Sequence, residues 1–162
     1  MRIPILESLE VLAQSDYATV WRGEDGWVYK RSSLEFFINE YLMLRLLENS
    51  GYVPRVEMAE IGLLAIEDLG DQIASWSSVT DRDEFMSHAP RVLSALRRAG
   101  IRHGDLTEYA IIVQENRPML IDFAESRRMH DSRPDKRPEG DEYWLNKSME
   151  KICEMSGVGN GL

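Results

Sequence analysis

Asp105 and Asp122 stand seventeen positions apart, and the residues between them leave the chain little choice of fold. Ile111-Ile112-Val113 is an apolar, largely β-branched run, and Met119-Leu120-Ile121 is a second. The turn Glu115-Asn116-Arg117-Pro118 separates them, so the segment is expected to form a β-hairpin. A hairpin returns its two ends to the same place. Asp105, on the loop His103-Gly104-Asp105-Leu106-Thr107, and Asp122, in Leu120-Ile121-Asp122-Phe123, should therefore meet at one end of it. One such carboxylate can handle a proton while the other holds a metal ion, the layout a phosphoryl-transfer site needs.

Upstream, Leu9 to Lys30 reads as a β-meander. Thr19-Val20-Trp21 and Trp27-Val28-Tyr29 are rich in β-branched and aromatic residues, with the turn Gly23-Glu24-Asp25-Gly26 between them. Their aromatic side chains are expected to pack within this hairpin rather than to cage a ligand. Lys30 ends the second strand, and Ser32 or Ser33 can cap the helix that follows. From Leu34 to Glu48 that helix is apolar on most sides, which predicts that it is sandwiched rather than laid on a surface. Glu40 has Phe36, Phe37, Met43 and Leu44 at helical spacing. A carboxylate in such surroundings needs a cation, and Lys30, ending a strand just upstream, is the natural partner.

Asn49-Ser50-Gly51 ends the helix, and Val53-Pro54-Arg55-Val56 begins another extended segment. Ile61-Gly62-Leu63-Leu64-Ala65-Ile66 reads as a buried strand. Glu67-Asp68-Leu69-Gly70 is a polar break, the best join between a β-rich part and a helical remainder. A helix starting near Thr80-Asp81-Arg82-Asp83 carries Phe85, Ala89, Val92 and Leu96 to a stop at Gly100, with Pro90 kinking it or beginning its main part. Ala124 to Gly140 reads as a loop, and Asp141 as the cap of a last helix running to about Met155.

Composition excludes several classes. The 162 residues fit one compact domain or two small lobes, and 43% hydrophobic content can bury a core. Net charge −9 disfavours a nucleic-acid role. Against that acidic whole, Arg127, Arg128, Arg133, Lys136 and Arg137 form a basic cluster, read as a solvated loop or, more weakly, as an anion or nucleic-acid contact. The single Cys153 rules out an internal disulfide and a cysteine metal cluster. No apolar run approaches the roughly 20 residues of a membrane span. Met1-Arg2-Ile3-Pro4 has no secretory pattern, so a soluble, cytoplasmic protein is expected.

In this order, from about Leu9 to Phe123, the elements resemble the protein-kinase superfamily. His-Gly-Asp-Leu-Thr, with ten positions from Lys30 to Glu40, looks most like the compact atypical kinases, RIO-type kinases and the small kinase of the KEOPS complex. Aminoglycoside and choline phosphotransferases share the His-Gly-Asp form. The resemblance implies an α+β, bilobal protein-kinase-like fold in a single domain. Its β-rich N-lobe would span about 1–69 and its shortened helical C-lobe about 70–155, before a Gly-rich tail at 156–162. It also implies ATP and Mg²⁺. Lys30 would hold the α- and β-phosphates, Glu40 would orient Lys30, Asp105 would accept the proton of the attacking hydroxyl, and Asp122 would bind Mg²⁺. Val20 and Val28 would roof the adenine, Ile112 would floor it, Ile66 would close the back, and backbone groups of Glu67, Asp68 and Leu69 would meet its edge. His103 would hold loop geometry rather than move protons.

The chain also departs from the kinase pattern. Ala13, Ser15 and Ala18 occupy the three glycine positions of the phosphate-covering loop. Ala110 stands where a second metal ligand, Asn, is usual, and Glu108 or Tyr109 is the nearest substitute. Asp-Phe-Gly becomes Asp122-Phe123-Ala124. Gly104 replaces the arginine that reads activation-loop phosphate, and no Ala-Pro-Glu motif follows. The expected function is an ATP-dependent phosphotransferase, a Ser/Thr protein kinase of compact atypical type acting on a protein substrate or partner. The alternatives are a pseudokinase, binding nucleotide or only partners, and a small-molecule kinase.

Overall fold

Strands β1 (Glu10–Gln14), β2 (Ala18–Arg22), β3 (Trp27–Ser32), β4 (Val56–Glu60) and β5 (Leu63–Glu67) form one antiparallel sheet in the spatial order β1-β2-β3-β5-β4. This is a computed structural model, and it describes residues 3–131 and 139–158. Helix α1 (Leu34–Leu47) packs on the sheet and completes the N-lobe. The C-lobe is mainly helical: α2 (Gln72–Trp76), α3 (Arg82–Ser87), α4 (Ala89–Ala99) and α5 (Gly140–Ser156). It also holds the hairpin of β7 (Ile111–Gln114) and β8 (Arg117–Leu120). A two-residue strand, β6 (Ile101–Arg102), pairs with β9 (Arg127–Arg128). No helix among the described residues is long and apolar enough to cross a membrane.

The apolar run of β5 has a clear cause. Leu64 faces the main core with α1, whereas Leu63 and Ala65 face a second cluster with Leu6 and the fully buried Tyr29. A strand covered on both faces has no need of polar alternation. Trp21 and Trp27 pack against that second cluster, in line with a packing role for the hairpin aromatics. The strand begins later than its composition suggests. Gly62, at φ 85, and the exposed Ile61 form the turn from β4.

Several local expectations need correction. Helix α1 is not sandwiched: Phe37, Glu40, Met43, Leu44 and Leu47 are buried, but Leu34, Ile38, Leu42 and Leu46 lie open to solvent. Ser32 belongs to β3, and Ser33 takes the N-cap position without a side-chain cap bond. The hairpin turn is only Glu115-Asn116, both at positive φ, as a two-residue type I′ turn requires. Arg117 and Pro118 therefore lie in β8, with Pro118 opposite Val113. The Asn116 amide oxygen accepts from the Thr80 and Asp81 backbone at 2.7 and 3.2 Å, which fixes this turn against the start of α3.

Helix α2 escaped the sequence because one turn carries no visible period. It is set by Asp71, whose carboxylate accepts from Ala74 N. The expected helix from Thr80 to Gly100 divides at His88: Asp81 caps α3 and Pro90 sits in the first turn of α4. The loop after Phe123 is partly structured by β9, and Arg128 donates to the Ala99 carbonyl at 3.0 Å. Arg133, Lys136 and Arg137 of the basic cluster, and most of the Gly-rich tail, lie outside the described residues.

Candidate active site

Lys30 lies in the middle of the sheet, opposite Val20 on β2 and Leu64 on β5. Its ammonium reaches away from the strand to α1, where Glu40 is buried. Lys30 Nζ lies 2.8 Å from Glu40 Oε2 and 3.0 Å from Oε1. It also lies 3.1 Å from Asp122 Oδ1. Burial alone would lower the pKa of Lys30, but the two carboxylates outweigh it and hold the pKa above the ordinary lysine range. Burial pushes the Glu40 carboxyl upward, against the pull of Lys30. The lysine thus stays charged and aimed at the carboxylate of Asp122, which is exposed to the cleft.

The hairpin brings the second acid to the same place. Ile121 N donates to the Ala110 carbonyl at 3.0 Å, closing the hairpin base. The next residue, Asp122, takes φ 61, a left-handed conformation that Asp tolerates better than most side chains. Asp105 sits on the opposite loop, which is anchored at many points. Gly104 there adopts φ 80, where an arginine would be strained. Its amide and that of His103 donate to the two oxygens of Asp141, at 2.9 and 2.7 Å. Ser126 Oγ donates to the His103 carbonyl at 3.0 Å and Ser148 Oγ to that of Leu106 at 3.1 Å.

His103 is fully buried. Its Nε2 donates to the Ile121 carbonyl at 2.9 Å, and its ring lies 4.6 Å from that of Phe123. It ties the two acid-bearing segments together rather than facing the cleft. Burial lowers its pKa below the usual 6.5, with nearby carbonyl and carboxylates opposing only in part. Burial and two arginines lower His88 as well. The folded protein therefore binds fewer protons at these sites than the unfolded chain. Their stabilising effect is complete above about pH 6.5 and is lost as pH falls toward the depressed folded values. Urea midpoints are expected to drop between pH 7 and pH 5, the drop shrinking in a His88→Gln variant.

These side chains meet in a cleft of about 860 Å³ between the lobes. All the residues expected at the site line it: Ala13, Ser15, Ala18, Val20 and Val28 from the sheet and its β1–β2 turn, Lys30 and Glu40, Ile66 to Leu69, then Asp105, Ile112 and Asp122. The β1–β2 turn needs no glycine. Ser15 Oγ accepts from the Tyr17 and Ala18 amides at 3.2 and 3.1 Å, and no residue of the turn has positive φ. At the join between lobes the Glu67 amide is bonded to Arg55 O and the Asp68 amide to Gly26 O, at 2.9 and 3.0 Å. This narrows the expected edge contacts to the Leu69 amide and the carbonyls.

Ala110 is buried, and of the two suggested substitutes only Tyr109 lines the cleft. Glu108 is paired with Lys151 of α5, and the Tyr109 side chain is exposed beside Trp76. No group of three or more acidic, histidine or cysteine side chains among the described residues could hold a metal by itself. Exposed carboxylates in a cleft instead suit a hard cation that keeps waters and takes phosphate oxygens. Asp122, exposed in the cleft, fits that description.

Two residues not expected at the site prove central. Asn39, next to Glu40, donates its amide to the carbonyls of Phe123, Ala124 and Ser126 at 3.2, 2.9 and 2.7 Å. A lone amide in an apolar helix was the available signal. Asp141 does not cap α5, since Glu139 holds the N-cap position. Its carboxylate goes to the Asp105 loop instead, a long-range choice that spacing cannot reveal. Compared with protein-family models, the chain matches the model described as RIO1, RIO domain, over residues 29–141. No curated protein matches it.

Proposed function

Since the chain belongs to the RIO domain family, an atypical protein kinase family, we propose that it transfers the γ-phosphoryl group of ATP to a serine or threonine hydroxyl of a protein. The observation that carries this reading is the buried Lys30–Glu40 pair aimed at Asp122, with Asp105 across the same cleft. In this reading Val20, Val28, Ile66 and Ile112 enclose the adenine, and Leu69 offers its amide to the base edge. Lys30 neutralises the α- and β-phosphates, and Asp105 takes the proton of the attacking hydroxyl. Mg²⁺, held by Asp122, would neutralise charge on the phosphates when bound. The chemistry needs little else from the protein, since positioning and charge compensation dominate phosphoryl transfer.

With Ala110 in place of a ligand, the chain contributes fewer metal contacts than the usual kinase loop. Purified protein is expected to transfer γ-phosphate in a Mg²⁺-dependent way, saturating only at high Mg²⁺. An Ala110→Asn variant should raise the rate severalfold at limiting Mg²⁺ and less at saturation. The same alanine favours one second reading, a nucleotide-binding module without turnover. That reading holds if ATP raises the melting temperature while neither protein consumes it. Sustained turnover by the unmodified chain would rule it out.

A further inference from the structure

The turn between β1 and β2 uses most of its backbone donors on itself. Ser15 N donates to the Ala18 carbonyl at 2.8 Å, and the Tyr17 and Ala18 amides both donate to Ser15 Oγ. The amide outside these bonds belongs to Asp16, an exposed residue whose carboxylate repels a phosphate. Loops that cradle phosphates do so with a set of free backbone amides. This turn has no such set to offer.

Its tip is fixed to α1 instead. The Tyr17 ring meets that of the half-buried Phe36 edge to face, with centroids 6.0 Å apart and planes at 84°. Aromatic quadrupoles favour this arrangement. Phe36 lies four residues before Glu40 on α1, so the two are neighbours on the helix surface. Tyr17 and Phe36 both line the cleft shared by Lys30, Glu40 and Asp122. Tyr17 is 66% exposed, so its ring is an outer wall of that cleft rather than part of a core.

We propose that the Tyr17–Phe36 ring pair makes this turn a side-chain wall at the phosphate end of the cleft, hung from α1, in place of a backbone cradle. The inference rests on the nucleotide reading of the cleft given above. Tyr17 acts in it as a positioning residue. Because the turn is already held against α1, phosphate binding has little left to order. The wall also keeps water from the Lys30 ammonium and the Asp122 carboxylate. A drier site strengthens their attraction to a triphosphate and its cation. The adenine end, enclosed by Val20, Val28, Ile66 and Ile112, does not depend on the pair.

Calorimetric titration of the full chain with Mg²⁺–ATP and, separately, with adenosine tests this without any need for turnover. Tyr17→Ala is expected to weaken ATP binding roughly three- to tenfold, the range to which the stabilisation of an aromatic pair converts. Adenosine should bind it as before, which also shows that the variant is folded. Tyr17→Phe keeps the ring and should bind ATP as the unmodified chain does. Phe36→Leu should repeat the Tyr17→Ala loss, and the double variant Tyr17→Ala/Phe36→Leu should be no weaker than either alone, because each change removes the same contact. Four outcomes overturn the inference and leave the nucleotide reading in place: ATP affinity unchanged in Tyr17→Ala, equal losses for ATP and adenosine, a Tyr17→Phe loss as large as that of Tyr17→Ala, or single losses that add in the double variant. An unmodified chain that does not bind ATP overturns the nucleotide reading, and this inference with it.

Discussion

Asp105→Ala is expected to lower phosphoryl transfer by about 10²–10⁴-fold, the usual worth of a positioned proton acceptor, while ATP affinity and folding stay close to unmodified. The separation of effects follows from how the loop is held. Its anchors include the backbone contacts to Asp141, Ser126 and Ser148 and the buried His103 ring, which do not use the Asp105 carboxylate. Lys30, Glu40 and Asp122 also remain in place. Single-turnover transfer, measured beside ATP titration by calorimetry, separates the two quantities. A rate unchanged by the substitution would remove Asp105 from the chemistry. A parallel loss of ATP binding would assign it to nucleotide positioning instead.

Lys30→Ala should have the largest effect on stability. It strips the cation from Glu40, a carboxylate with about 1% of its side chain exposed. Removing one partner of such a buried pair costs about 3–5 kcal/mol. Without the lysine, Glu40 folds most readily as the neutral acid. A folded pKa above the unfolded one means that stability is lost as pH rises from the carboxylate range toward neutrality. Urea unfolding at pH 5 and pH 7.5 should therefore show a greater loss at the higher pH. The double variant Lys30→Met/Glu40→Leu should recover most of the stability without recovering nucleotide binding. Equal losses at the two pH values would show that Glu40 finds other compensation.

The sequence made these residues readable to different depths. Lys30 and Glu40 could be paired because a carboxylate ringed by Phe36, Phe37, Met43 and Leu44 has one physical remedy, and Lys30 ends the strand just upstream. The hairpin was legible for a similar reason, since two apolar runs across a short polar break have few folds open to them. Asp141 was misread because a helix-capping acid and an acid bound to a distant loop look identical in sequence. The outer face of α1 was misread because apolar residues all round a helix do not say which of them the same chain covers. Helix α2 was lost to length, as five residues show no period.

The three hydrogen bonds from Asn39 bear on how the chain can be regulated. They join α1 to the segment after Asp122 without any added phosphate, and Gly104 leaves no arginine in the loop to read one. The aligned arrangement is thus held by contacts within the chain itself. A ligand shifts an equilibrium only by its differential affinity for the two states. Where the aligned state already dominates, an activator has almost nothing to shift. An effector that works through this helix gains most by prising Asn39 away, so its natural sign is inhibition.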